Sequence, residues 1–309
     1  VEEKTLELKY RPNKIEDVFG QEETKKALQK LLQRKTGVPK SYLFHGDRGC
    51  GKTTFSRLIA KELGVSGLDY KEVDMADKTG VENMRSIIES AHCSPNKSPY
   101  RIFMLDEVHQ VSKSSMNALL KTLEDPPKKT IFILSTTDPE RLLKTIVSRC
   151  HSFHIKPLKM KEMGKLLMHI CKQEGIKTTN KVLKAIAMNT EGIPREALKL
   201  LDMVRDCDSE EEGIALASNA IVGENTAGIE ICKQILDNQP WKTLSETLKS
   251  IEKDTDYAIL RRAMLNYIKK VLHDKENEKL FDLYDILCDE PFYYVPQHKL
   301  FRAVYSLYH

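Results

Sequence analysis

One octapeptide constrains this chain more than any other stretch. Gly46-Asp47-Arg48-Gly49-Cys50-Gly51-Lys52-Thr53 satisfies GxxxxGK[ST], a pattern that carries meaning where a strand enters it and a helix leaves it. Both flanks comply. Tyr42-Leu43-Phe44-His45 is a short apolar run, and Thr53–Leu63 has helically spaced apolar residues. Glycines let successive backbone N–H groups curl around phosphate oxygens, which a Cβ would obstruct. The positive end of the outgoing helix faces the same oxygens. Lys52 supplies a point charge, and the Thr53 hydroxyl is suited to ligate Mg²⁺. The expected nucleotide cradle is Gly46 to Thr54, including Asp47, Arg48, Gly49, Cys50, Gly51, Lys52 and Thr53.

A second motif completes the chemistry. Arg101-Ile102-Phe103-Met104-Leu105 is an apolar strand ending in Asp106-Glu107. At the C-terminal edge of a parallel sheet these acids lie beside a phosphate loop. Asp106 is expected to hold Mg²⁺, and Glu107 to polarise an attacking water, so hydrolysis is implied as well as binding.

Further apolar runs at Lys71–Val73, Ile131–Leu134 and Ser152–Ile155 alternate with helical patterns at Glu22–Leu32, Val81–Ala91 and Ser114–Leu123. Such alternation predicts an α/β domain, a parallel sheet covered on both faces. From Leu158 the strand signal stops. Three short helices (Lys161–Glu174, Asn180–Asn189, Arg195–Asp206) precede a polar acidic stretch, Asp206–Gly213, and helices follow to the end. The expected organisation is an α/β domain over 1–157, a small helical lid over 158–222, and a helical collar over 223–309.

Charge divides the same way. Residues 1–160 carry 28 Lys+Arg against 21 Asp+Glu, whereas 161–309 carry 21 against 24, so a polyanion would meet the front half. Seven scattered cysteines without a CxxC pair argue against a disulfide framework or zinc site and for a reducing compartment, the cytoplasm. No apolar run is long enough to span a bilayer, and no membrane partner is expected.

Leu8-Lys9-Tyr10-Arg11-Pro12, Glu16-Asp17-Val18-Phe19-Gly20-Gln21, Asp106-Glu107-Val108-His109, Asn117 through Pro127, Ser135-Thr136-Thr137-Asp138-Pro139, Ser148-Arg149-Cys150 and Gly192-Ile193-Pro194-Arg195 occur in that order. Together they resemble AAA+ clamp-loader ATPase subunits, above all the bacterial DNA polymerase III gamma/tau subunit, and also phage and replication-factor-C-type small subunits. The resemblance covers about residues 6–205. It implies an ATP hydrolase that uses ATP and Mg²⁺ to open a sliding clamp and place it on primer–template DNA. The implied partners are other loader subunits in a homo- or hetero-oligomer, expected as a pentameric spiral, in a bacterial or phage-infected cell.

Position by position, the resemblance puts Tyr10, Arg11, Pro12, Val18 and Phe19 around the adenine. It makes Thr137 the first sensor, Arg195 (after Pro194) the second, and Arg149 a finger inserted into a neighbour's site. Helix starts would track duplex phosphates, here Lys78-Thr79 and Lys113. Two departures matter. The span Val65–Tyr100 holds only Cys93, so the four-cysteine zinc module of the bacterial subunit is absent, and no zinc is expected. The chain also stops at His309, without the long tail of tau forms, which suits a compact loader.

Two other classes of protein stand beside this one. A branch-migration motor of the same superfamily would need a winged-helix domain after the lid, where this chain reads as uninterrupted helices. A scaffold subunit with little turnover usually lacks the phosphate loop or the Glu, whereas Lys52, Thr53, Asp106 and Glu107 are all present.

Overall fold

The computed structural model describes residues 5–34, 37–219, 226–251, 257–274, 276–289 and 296–308. By spatial clustering the chain divides into two compact units, up to Glu210 and from Glu211 onward. The lid–collar boundary expected at 222/223 falls outside the described residues.

In the first unit the order is α1 (Leu6–Lys9), α2 (Glu22–Leu32), β1 (Ser41–His45), α3 (Lys52–Glu62), β2 (Tyr70–Asp74), α4 (Val81–Ala91), β3 (Arg101–Asp106), α5 (Lys113–Glu124), β4 (Thr130–Thr136), α6 (Lys144–Val147) and β5 (His151–His154). Helices α7 (Met160–Glu174), α8 (Asn180–Asn189) and α9 (Pro194–Val204) follow. The strands form one parallel sheet in the order β2-β3-β4-β1-β5. The expected α/β class and all five strands are present.

Period-two alternation along each strand divides its side chains between two cores. Tyr42, Phe44, Ile102, Met104, Ile131 and Ile133 face Phe55, Leu58 and Ile59 of α3 and Leu28 of α2. Leu43, Phe103, Leu105, Phe132 and Leu134 face Met84 and Ile87 of α4 and Met116 and Leu119 of α5. Each such side chain contributes about 1.5–3 kcal/mol on burial. Polar chemistry is thereby confined to strand ends.

Local signals set the helix starts. The Ser112 hydroxyl accepts from the Ser115 N–H at the head of α5, and Thr179 does the same for Val182 at α8. Pro194 occupies the first turn of α9. In the acidic stretch, α10 (Glu210–Asn219) forms where the sequence reading saw no helix. Its three leading glutamates complement the helix dipole, and the period of its few apolar residues is too weak to show in sequence.

The second unit contains α11 (Thr226–Leu236), α12 (Trp241–Ser250), α13 (Tyr257–Asp274), α14 (Glu278–Asp289) and α15 (Pro296–Ser306). Ile231, Ile235, Leu244, Leu248, Met264, Ile268, Leu283 and Val304 share its core. Among the described residues no helix is long and apolar enough to cross a membrane.

A buried carboxylate organises the approach to β3. Asp69 accepts the backbone N–H groups of Asn96, Lys97 and Ser98 at 2.7, 2.9 and 2.9 Å. Those bonds hold its carboxyl below the usual aspartate range. A depressed folded-state pKa contributes stability above the unfolded value of about 3.9, which is lost as pH falls below it. Asp69→Asn should therefore lower the melting temperature at pH 7. Calorimetry should find the gap from wild type narrowing on acidification below about pH 4.

Candidate nucleotide site

The phosphate loop leaves the C-terminal end of β1 with three glycines in left-handed backbone, at φ 139° (Gly46), 84° (Gly49) and 111° (Gly51). A Cβ on Gly46 would lie 2.2 Å from the Ile155 carbonyl oxygen. One on Gly49 would lie 2.8 Å from Ile193 Cγ2 and 3.2 Å from Arg195 Cβ. The loop is thus gripped between the strand after β5 and the segment that opens α9. Gly192, at φ 82°, allows that segment its own close approach, since a Cβ there would meet the Leu158 oxygen at 2.3 Å.

Lys52 begins α3 and is 94% buried, with Nζ donating to the Gly46 and Asp47 carbonyls at 2.8 and 3.1 Å. Burial pushes its pKa down, and the carboxylates of Glu107 and Asp106 pull the other way. An ammonium whose hydrogen-bond partners among the described residues are neutral carbonyls is poised for an anionic partner.

Asp106, at the end of β3, is fixed from three directions. Its Oδ2 accepts from the Thr53 hydroxyl at 3.1 Å, and its Oδ1 accepts from the Ser135 hydroxyl and, at 3.0 Å, from the Glu107 N–H. Glu107 itself sits in left-handed backbone (φ 48°, ψ 43°), uncommon for a non-glycine residue and costing about 1–2 kcal/mol. Its Oε2 accepts from the Thr137 N–H at 3.3 Å and the Thr137 hydroxyl at 3.1 Å.

These groups border a cavity of about 1260 Å³. Of the residues named from sequence, Arg48, Gly49, Cys50, Gly51, Lys52, Thr53 and Thr54 line it, as do Asp106 and Glu107. So do Tyr10, Arg11, Pro12, Val18 and Phe19 on one side, and Pro194 and Arg195 on another. Gly46 and Asp47 open the loop and turn their carbonyls to Lys52, and Thr137 stands behind Glu107. Tyr10 is tied to α7: its hydroxyl donates to Glu174, which also pairs with Lys9 at 2.7 Å. Burial first, then Glu174, pushes the Tyr10 pKa up to about 12.

Arg149 does not line the cavity; its guanidinium donates to Glu124 at 2.6 Å and to the Thr145 carbonyl at 2.9 Å. Lys78, Thr79 and Lys113 are likewise elsewhere, but together. The Thr79 carbonyl accepts from the Ser112 N–H at 3.1 Å and the Ser115 hydroxyl at 3.0 Å, which fastens the start of α5 beside that of α4.

Sequence reasoning did not find Ser135 or the contribution of α7. Ser135 meets Asp106 because β4 neighbours β3, an adjacency that no local pattern carries. From α7, Glu162, Lys165 and His169 line the cavity, and the His169 ring lies 5.7 Å from that of Phe19. Their helical spacing was visible, but not the wall they would face.

The residues fit a magnesium nucleotide: a hydroxyl and a carboxylate 3.1 Å apart, a buried amine, and a glycine-lined loop. Such an arrangement suits the phosphates of a nucleotide beside a divalent cation. The structure of the RuvB Holliday junction branch migration motor of Thermotoga maritima has the same fold, with a TM-score of 0.64 at 22% identity, covering 83% of this chain and 91% of that one.

Residues 65–159 match the family described as DNA polymerase III, delta subunit. The chain is 38% identical over 218 residues to the tau subunit of DNA polymerase III from Escherichia coli, covering 64% of this chain and 34% of that protein. It is 38% identical over 218 residues to the gamma subunit from Buchnera aphidicola, covering 64% and 60%. With the tau subunit from Salmonella typhimurium it shares 30% over 288 residues, covering 86% and 45%. The chain thus resembles gamma/tau subunits, and it spans between about a third and three fifths of their length.

Gly192→Ala tests the packing of α9 on the loop. A left-handed alanine costs about 1–2 kcal/mol before any clash. Thermal unfolding should register at least that loss, and ATP affinity by fluorescence titration should fall as the Arg195 end of α9 moves off the loop.

Proposed function

We propose that this chain is an ATPase subunit of a DNA sliding-clamp loader, working in the cytoplasm, that uses ATP to open a ring clamp and place it on primer–template DNA. One observation carries the reading. Thr53 of α3 and the consecutive Asp106 and Glu107 at the end of β3 converge on one cavity with a buried lysine beneath a phosphate loop. The likeness to gamma/tau subunits gives that hydrolase its context.

In this reading Tyr10, Arg11, Pro12, Val18 and Phe19 enclose the adenine, and the loop from Gly46 to Thr54 cradles the phosphates. Thr53 and Asp106 would hold Mg²⁺, whose charge neutralises that developing on the phosphate oxygens. Lys52 exchanges its two carbonyl partners for phosphate oxygen. Glu107 polarises water, Thr137 steadies Glu107, and Arg195 reaches in from the lid. Residues 1–157 serve as the ATPase domain, 158–222 as the lid and 223–309 as the collar of an oligomer, a pentameric spiral of like or dissimilar subunits.

Arg149 supports an assembly in which sites are shared. It stands outside its own cavity, on a surface ion pair with Glu124. Such a pair holds by about 1 kcal/mol or less, little enough to exchange for a neighbour's phosphate. Lys78, Thr79 and Lys113, exposed at two helix starts held side by side, suit duplex phosphates without reading sequence.

The deciding experiment is steady-state ATPase with and without clamp and primed DNA. Lys52→Ala should abolish nucleotide binding, while Glu107→Gln should keep binding and lose turnover. Near-normal hydrolysis by Glu107→Gln would reject Glu107 as the base.

A mixing experiment addresses Arg149. Arg149→Ala keeps its own site and loses the finger; Lys52→Ala does the reverse. A finger acting across an interface contributes roughly 10³–10⁵ in rate, so mixed assemblies should recover DNA-stimulated ATPase that neither variant shows alone. Wild-type turnover by Arg149→Ala alone would refute action in trans.

A further inference from the structure

Behind Glu107 lies a histidine to which none of the foregoing assigns a role. His109 falls in the tight turn Val108–Gln110 that follows Glu107, and its side chain is almost fully buried. Both ring nitrogens have polar neighbours. Nδ1 lies 3.0 Å from the Thr136 hydroxyl and 3.4 Å from Glu107 Oε2, and Nε2 lies 3.1 Å from the Gln110 side-chain nitrogen. Thr136 is itself held, accepting the Asp138 N–H at 2.9 Å. A histidine buried for packing alone needs no such arrangement, and an apolar residue of similar size would fill the space without the cost of burying two polar atoms.

The contacts on Glu107 are one-sided. Thr137 N–H, Thr137 hydroxyl and His109 Nδ1 all approach Oε2. Oε1 has no hydrogen-bond partner among the described residues, and the side chain lines the cavity. Amide nitrogen donates only, so Gln110 directs Nε2 to accept, and the neutral ring then carries its proton on Nδ1, facing Oε2 and Thr136.

We propose that His109 is a positioning residue for Glu107: with Thr137 it anchors one carboxylate oxygen and leaves the other to act on water. The anchor also helps to hold the left-handed backbone at Glu107, which has no glycine to ease it. A carboxylate that swings about Oε2 loses the alignment on which its basicity toward water depends. The proposal rests on the hydrolase reading above, so its test has one arm that needs no turnover.

That arm is nitrogen NMR of the histidine rings in the full chain without nucleotide. Glu107→Gln should shift the His109 Nδ1 resonance and leave surface histidines such as His92 unmoved. An unchanged resonance would overturn the contact whatever the chain hydrolyses.

The second arm is kinetic, in the loader assembled with clamp and primed DNA. His109→Leu should lower kcat about tenfold to a hundredfold with ATP affinity within about twofold of wild type. His109→Asn, which keeps a donor near the position of Nδ1, should recover most of the loss and covers the case in which the leucine variant folds poorly. In a Glu107→Gln background His109→Leu should reduce the residual rate no further. Equal fractional losses in both backgrounds, or full turnover by His109→Leu, would reject a role exerted through Glu107. A wild-type protein without turnover would instead reject the hydrolase reading, while the NMR arm still reports the contact.

Discussion

A strand buried on both faces admits charge only at its ends, and everything at this site follows from that constraint. From Ile102 to Leu105 and from Ile131 to Leu134 every side chain is essentially inaccessible to solvent. Between the two cores no ionised group is tolerated without partners. Lys52, Asp106, Glu107, Ser135 and Thr137 therefore gather at the C-terminal edge, where parallel strands all end on the same side. β1 pairs with β4 on one flank and β5 on the other, so the phosphate loop issues from within the sheet and is walled by both neighbours.

Close backbone approach is the second requirement. Gly46, Gly49 and Gly192 each stand where a Cβ would come within 3 Å of another segment. The loop, the strand after β5 and the start of α9 are thus in contact through their backbones and shortest side chains. Movement of α9 relative to the loop would be felt directly at Arg195 and in the loop backbone, a geometry suited, under the proposed function, to coupling nucleotide occupancy to the placement of α7–α9.

The site also holds two unfavourable arrangements. Lys52 is an ammonium nearly removed from water and, among the described residues, hydrogen-bonded only to carbonyl oxygens, and Glu107 is a non-glycine residue in left-handed backbone. Neither stabilises the fold. Under the proposed function both gain partners in phosphate and water, and the hydrogen bonds from Thr137, with His109 Nδ1 3.4 Å away, keep Glu107 in place meanwhile.

Sequence by itself determined the local elements and the reactive pair of motifs. Hydrophobic period located all five strands and most helix boundaries, and the phosphate loop and Asp106-Glu107 were legible because each is contiguous and its chemistry is local. What only the tertiary structure decided is adjacency. The insertion of β4 between β3 and β1 carries Ser135 to Asp106 and Thr137 to Glu107, and the docking of α7 brings Lys165 and His169 to the cavity wall. The fold also turned His109 inward on Glu107 and Arg149 outward on Glu124. The physical reason is that alternation of apolar residues records which face of an element is buried, but not which element covers it; that choice belongs to the packing of the whole domain.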